Sequence, residues 1–218
     1  MWDQYQKLFI VGTDTDCGKT QVTCELIKHA QRQHQTVVGL KPIASGSLED
    51  AHRIQAVTPT PLPLSRITPW FFQEPISPHL AAQHEGREII LDEVVAYCMD
   101  ASWQAYEKVL IEGAGGLLVP LNANDTWVDF LKQTQIPVLL VVGMRLGCLN
   151  HAQLTAQVLA YHGIDCIGWI ANVLDPGLLF LDENIQTLQK KLNIPYGGCV
   201  PHQGELLMAQ GFCGTRFI

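Results

Sequence analysis

Lys7-Leu-Phe-Ile-Val-Gly12-Thr-Asp-Thr-Asp-Cys-Gly18-Lys19-Thr20 decides how the rest of the chain is read. An apolar run of strand length ends at Gly12, a loop rich in Gly, Thr and Asp follows, and a helical pattern begins at Lys19. Five residues separate the two glycines, one more than in the commonest phosphate-binding loop. Glycines let the backbone turn tightly and aim successive N–H groups inward, and the helix start adds its positive dipole end. Lys19 supplies a cation for the outer phosphates, and the Thr20 hydroxyl is a hard oxygen suited to Mg²⁺. A glycine-rich turn that binds nothing is the alternative, and Gly-Lys-Thr set between strand and helix weighs against it. Asp14 and Asp16 read either as turn formers or as acids facing a metal, an amine or a nucleotide hydroxyl. ATP binding is the reading adopted.

Outward from this loop, apolar runs at 36–41, 109–112, 138–142 and 166–172 alternate with helical patterns at 19–33, 92–107, 126–134, 149–162 and 181–192. Continuous apolar strands separated by helices predict a parallel sheet covered on both faces. Glu112 ends one such strand and precedes Gly113-Ala114-Gly115-Gly116, which places an acid at the ligand edge of an open sheet. It reads as a metal ligand, or as an acceptor for N–H groups of its own glycine turn. Lys41 and Ser45 follow the second strand, with Pro42 and Gly46 fixing a bend, and Glu49 and Asp50 come next. Six of the twelve prolines fall within 58–79, TPTPLPLSRITPWFFQEPISPH. That density predicts an ordered excursion with neither helix nor central strand, held by burial of Trp70, Phe71 and Phe72, with a subunit contact as one use for it.

Composition narrows the function classes. In 218 residues, 47% are hydrophobic and 16% charged, and 21 acids against 14 Lys and Arg leave a net charge of −7. No basic surplus exists to release counterions from a nucleic acid, so a nucleic-acid partner is not expected. No apolar run approaches the ~20 residues of a membrane span, and the start lacks a basic and an apolar signal region. Seven cysteines (17, 24, 98, 148, 166, 199 and 213) form no Cys-x-x-Cys pair and predict reduced thiols in a cytoplasmic protein.

Six segments in order resemble the dethiobiotin synthetase family: GTDTDCGKT (12–20), GLKPIASGS (39–47), EPISPH (74–79), EGAGGLLVPL (112–121), PVLLVVGMRLGCLNHAQLTAQ (137–157) and GWIAN (168–172). The resemblance implies one α/β domain over 1–218, P-loop NTPase-like, with about seven mostly parallel strands and helices on both faces. It implies a homodimer that uses ATP, Mg²⁺ and CO₂ or bicarbonate to convert 7,8-diaminononanoate into dethiobiotin. Lys41 then corresponds to the catalytic lysine, with Lys19 beside it. Asp16, Cys17, Gly18, Lys19, Thr20 and Gln21 wrap the ATP phosphates, and Thr20, Asp50 and Glu112 hold Mg²⁺. Glu112, Gly113, Ala114 and Gly115 border the nucleotide. Asn172 reads adenine, with Pro201, His202 and Gln203 along the base. Thr13 and Ser45 face the diamine, and Gly147, Cys148, Leu149 and Asn150 of the partner subunit receive its carboxylate. Arg145 stands where the family often has Lys.

The expected chemistry agrees with these groups. An alkylamine has a pKa of about 10 and attacks CO₂ only when neutral, and cationic Lys19 and Lys41 disfavour its protonated form. No side-chain nucleophile is required, Cys17 is read as filling space, and His79 and His151 read either as general bases or as structural hydrogen-bonding residues, with the structural role favoured. The tail after Pro201, HQGELLMAQGFCGTRFI, departs from the family pattern, which predicts weaker adenine contacts and relaxed preference among nucleoside triphosphates. The rivals are a partitioning-type switch ATPase, disfavoured by the acidic balance and by the tail's single Arg216, and a degenerate binding protein, disfavoured by intact Lys19, Thr20, Lys41 and Glu112.

Overall fold

The structure is a computed structural model that describes residues 2–209, so Cys213 and Arg216 lie outside the described residues. After a 3₁₀ turn (Trp2–Gln4) come β1 (Lys7–Gly12), α1 (Lys19–Arg32), β2 (Val37–Leu40), β3 (Ile43–Ser45), α2 (Glu49–Val57), α3 (Leu64–Ile67), β4 (Trp70–Phe72), α4 (Pro78–His84) and α5 (Leu91–Met99). A second 3₁₀ turn (Ala101–Ala105) leads to β5 (Lys108–Gly116), α6 (Trp127–Thr134), β6 (Val138–Met144), α7 (Cys148–Tyr161), β7 (Cys166–Val173), α8 (Leu181–Lys191), β8 (Tyr196–Val200) and β9 (Leu207–Met208).

Seven strands form one sheet in the order β2-β5-β1-β6-β7-β8-β9, and every pairing is parallel except β8 with β9. Successive strand residues face opposite sides, so Phe9 and Val11 enter one core with Trp127 and Phe130 while Leu8 and Ile10 enter another with Val22 and Leu26 of α1. Helices α1, α2 and α3 cover the second face and α4 to α8 the first. The order places the loops after β2, β5, β1, β6, β7 and β8 side by side along one edge, where an open parallel sheet binds its ligands.

Three expectations need correction. The helix predicted over 92–107 is two elements: α5 stops at Met99, and Asp100 leaves helical geometry (φ −54°, ψ 141°) to accept the Ser102 N–H and cap the 3₁₀ turn. The proline-rich segment is not free of regular structure. Prolines sit where their missing N–H does no harm, Pro63 capping α3 and Pro78 in the first turn of α4. Between them β4 pairs with β3 in a separate two-stranded parallel sheet. Of its aromatics only Phe72 is fully buried, while Trp70 packs edge-on against Tyr97. The polar helix α2 and the last strands β8 and β9 lie where no strong apolar period marks them, β8 carrying Gly197 and Gly198 in five residues.

Phe9 lies 5.1 Å from Trp127 and 5.4 Å from Phe130 between ring centroids, and its Cζ leaves only 2.9 Å to an ideal Cβ at Gly113. Phe9→Ala should cost about 3–5 kcal/mol in urea unfolding through the cavity it leaves. A loss below ~1 kcal/mol would show that the first core does not depend on this ring.

Candidate active site

The loop after β1 is shaped by close approaches that only small residues permit. Gly18 has φ +85°, and a Cβ there would fall 1.9 Å from Asn172 Nδ2. That amide donates to the Cys17 carbonyl at 3.1 Å, fastening the loop to the end of β7. The buried Cys17 sulfur fills the space where a Cβ on Gly12 would be, at 2.3 Å. Asp14 accepts the Thr15 N–H at 2.7 Å and pairs with Arg145 of the β6–α7 loop at 2.7 Å, so it acts as a turn former held by a cation. Asp16 is exposed, with φ 54°. Lys19 is nearly buried and donates to the Asp14 carbonyl at 3.0 Å, keeping its ammonium inside the loop.

Glu112 is fully buried, and β5 runs four residues beyond it, so it is an interior strand residue and not the strand end that the sequence suggested. Sharing a face with Leu110, it points towards α1. Its Oε1 accepts from Thr20 Oγ1 and Lys41 Nζ, both at 2.7 Å, and its Oε2 accepts from Thr23 Oγ1 at 2.8 Å. These donors replace the glycine-turn N–H groups of the alternative reading. Lys41 Nζ also reaches Asp50 Oδ2, in the first turn of α2, at 2.6 Å. Burial pulls the Lys41 ammonium down, but Glu112 and Asp50 outweigh it and hold its pKa above the ordinary 10.5. For Asp50, burial pushes up, and the Lys41 charge and hydrogen bond bring its pKa below 3.8. Arg53 of α2 adds a second, weaker positive influence on Asp50. Thr20, Asp50 and Glu112 are all hard oxygen donors, which is the chemistry Mg²⁺ selects.

A cleft of about 450 Å³ opens beside this cluster, lined by Thr15, Asp16, Lys41, Ser45, Asp50 and Gly115 among others. Ser45 Oγ donates to the Ile76 carbonyl at 2.6 Å, and Gly46 (φ +79°) lies so close to Pro75 that a Cβ would meet its Cα at 2.6 Å. The proline-rich segment therefore forms one wall of the cleft. Thr13 lines an adjoining cavity of about 380 Å³ that shares Thr15 and Val119 with the cleft and extends to Leu154 and Val158 of α7. Gln21 accepts from Arg53 of α2 at 2.6 Å. Trp127 Nε1 donates to the Ala114 carbonyl at 2.9 Å, and Gly115 holds φ +64°. Pro201, His202 and Gln203 follow β8, whose Val200 pairs with Asn172. Residues 147–150 lie outside the cleft of their own chain, with Gly147 at φ +95° opening α7.

Sequence reasoning missed Thr23 and the pairing of Arg145 with Asp14. Thr23 stands one helical turn after Thr20, a spacing that puts both hydroxyls on one face. Its oxygen is also 2.9 Å from the Lys19 carbonyl, but it has one proton, and the charged carboxylate is the stronger acceptor. The His79 Nδ1 atom is buried with no hydrogen-bond partner among the described residues. Burial pushes Cys24 up to about 12 and raises Cys148, which suits thiols without a chemical role.

Thr23→Val should lower turnover roughly tenfold, the worth of a hydrogen bond to a buried charge, with Thr23→Ser restoring it; equal rates in all three proteins would remove Thr23 from the site. The Lys41–Asp50 pair also sets a pH dependence. Lys41, raised above 10.5, contributes stability that is full below that value and lost as pH climbs through its folded-state pKa. Asp50, lowered below 3.8, contributes above that value and loses its share on further acidification, in a shallower limb because the group is half exposed. The pair's contribution to unfolding free energy should be flat between about pH 5 and 9, and Lys41→Met should erase the alkaline decline. Urea titrations across pH read both limbs.

The AAA domain family model matches residues 6–210. The chain is similar to the ATP-dependent dethiobiotin synthetase BioD of Legionella pneumophila (strain Corby), with 48% identity over 205 residues that cover 88% of this chain and 95% of the relative. The enzyme of the same name from Aromatoleum aromaticum is 40% identical over 202 residues, covering 89% of each. Among solved structures, the septum site-determining protein MinD of Pyrococcus horikoshii, complexed with Mg-ADP, aligns with a TM-score of 0.59 at 16% identity, covering 90% of this chain and 81% of MinD. FtsY of Thermotoga maritima aligns with 0.58 at 15% identity, covering 94% of this chain and 65% of FtsY. These two share the fold, a P-loop NTPase-like sheet. With the loop after β1 and the Lys41–Glu112 cluster in place, and with relatives this similar over nearly their whole length, the chain belongs to the ATP-dependent dethiobiotin synthetases, ligases of biotin biosynthesis.

Proposed function

We propose that this chain, working as one domain, carboxylates 7,8-diaminononanoate with CO₂ and closes it to dethiobiotin at the expense of ATP. The observation that carries the reading is Lys41, a buried cation held between Glu112 and Asp50 beside Thr20 at the mouth of the phosphate loop.

In the first step the nitrogen lone pair of one neutral amine attacks the carbon of CO₂, an N–C bond forms and the amine proton leaves, giving a carbamate. A carbamate oxygen then attacks the γ-phosphorus of ATP, the bond to the bridging oxygen breaks, and ADP departs. The second amine attacks the carbonyl carbon of this mixed anhydride, phosphate leaves with the C–O bond electrons, the attacking nitrogen gives up one proton to the departing phosphate or to solvent, and a cyclic urea remains. Each anionic oxygen develops next to Lys41 and Lys19, and preorganised cations in a partly dry cleft stabilise such charge. The same two cations lower the substrate amine's pKa by like-charge repulsion.

Residues 16–21 supply backbone N–H groups to the phosphates, and Lys19 exchanges the Asp14 carbonyl for a phosphate oxygen. Thr20, Asp50 and Glu112 would hold Mg²⁺, which when bound neutralises phosphate charge. Residues 113–115 border the nucleotide, and Asn172 with 201–203 flanks its base. Thr13 and Ser45 face the diamine. Its carboxylate meets residues 147–150 of a second copy in a homodimer. Leu118, Leu146, Leu154 and Tyr161, from 54% to 94% exposed, support an apolar contact along α7. The free cysteines fit a cytoplasmic setting, and no helix among the described residues is long and apolar enough to cross a membrane.

Protein mixed with Mg²⁺, ATP, bicarbonate and the diamine should yield the cyclic urea by mass alongside ADP. Lys41→Ala should abolish product while leaving ATP affinity within about threefold, because its charge serves the reacting oxygens and not the phosphate loop. An active Lys41→Ala enzyme would sink the role given to this residue.

A further inference from the structure

Away from the Lys41 cluster a second carboxylate is buried on α1. Glu25 is 1% exposed, and acids at that depth need partners. Its Oε1 takes the Lys28 ammonium at 2.7 Å, an ordinary helical neighbour that reaches solvent. Its Oε2 accepts the backbone N–H of Leu206 at 3.1 Å, across 181 residues of sequence. A buried backbone amide held by a charged acceptor is expensive to release.

Leu206 ends the 201–206 segment that joins β8 to β9. The segment turns at Gln203 (φ 55°), and the Leu206 and Met208 side chains are buried in the same core cluster as Val22 and Leu26 of α1. The outer contact, Arg32 with Glu205 at 2.9 Å, joins two largely exposed side chains and contributes little. Glu25 is thus the main polar hold on this segment.

The segment begins at the functional edge of the sheet. Val200 pairs with Asn172, and Asn172 grips the phosphate loop through the Cys17 carbonyl. Helix α1 therefore shapes the phosphate site with its first residues and, through Glu25, fixes the next loop along the edge. We infer that Glu25 is a positioning residue for recognition of the nucleotide base: it fixes the 201–206 loop through the Leu206 amide. The inference rests on the nucleotide reading of the preceding subsection.

Calorimetry with ATP and with inorganic tripolyphosphate separates base from phosphate binding. Glu25→Ala should weaken ATP binding roughly tenfold and leave tripolyphosphate unchanged, since only base contacts run through the loop. KM for ATP should rise in step while kcat stays within about twofold, which marks loss of ground-state binding. Glu25→Gln keeps an acceptor for the Leu206 N–H and should bind ATP like the parent. Exchange of the Leu206 amide should quicken in Glu25→Ala alone. Should that variant not fold, Glu25→Met keeps the bulk without the acceptor and serves in its place. Unchanged ATP affinity, or equal weakening of both ligands, overturns the inference. Product formation by the parent is scored separately: an ATP-specific Glu25 effect without dethiobiotin overturns the proposed reaction alone.

Discussion

The buried carboxylate of Glu112 is the constraint on which the site depends. An ionised acid with no exposure must have both oxygens satisfied, and removing one partner of such a buried charge typically costs about 3–5 kcal/mol. Here the donors come from Thr20 and Thr23 on α1 and from Lys41 beyond β2. Satisfying one charge therefore fixes the position of α1 against β5 and draws in the segment after β2. The helix start that forms the phosphate loop is held in place by the same bonds.

Sheet order turns this local requirement into a site. Strands β2, β5, β1, β6, β7 and β8 lie side by side, and each contributes one group to the site, Glu112 from inside β5 and the others from the edge where the strands end. These are Lys41, Glu112, the phosphate loop, Arg145 on Asp14, Asn172 on Cys17, and Pro201. None of these is near another in sequence except within the loop itself. The cleft gains its far wall from the proline-rich segment, which the close approach of Gly46 and Pro75 sets against β3. A chain stretch poor in hydrogen-bond donors thus serves as a rigid boundary.

Much of the α/β architecture was legible because buried parallel strands leave continuous apolar runs such as 138–142, and because Gly18-Lys19-Thr20 marks a strand-to-helix junction. Glu112 was legible as an acid in the β5 region but was expected at the strand end, and only the structure shows that it lies inside β5 on the α1 side. Other parts were hidden for identifiable reasons. Helix α2 is polar and short, β8 is interrupted by two glycines, and β4 is three residues long amid prolines. Their structure follows from partners elsewhere in the chain and not from any local period.

By itself the sequence determined the alternation of strands and helices, the phosphate loop, and the identity of Lys19, Thr20, Lys41 and Glu112 as candidate chemical groups, because spacing and residue type are local properties. Only the tertiary structure decided that Lys41 sits between two carboxylates, that Thr23 completes the Glu112 shell, and that Glu25 grips an amide 181 residues away. The reason is physical. The charge state and hydrogen-bond partners of a buried group depend on which segments exclude water around it, and those segments are brought together by folding.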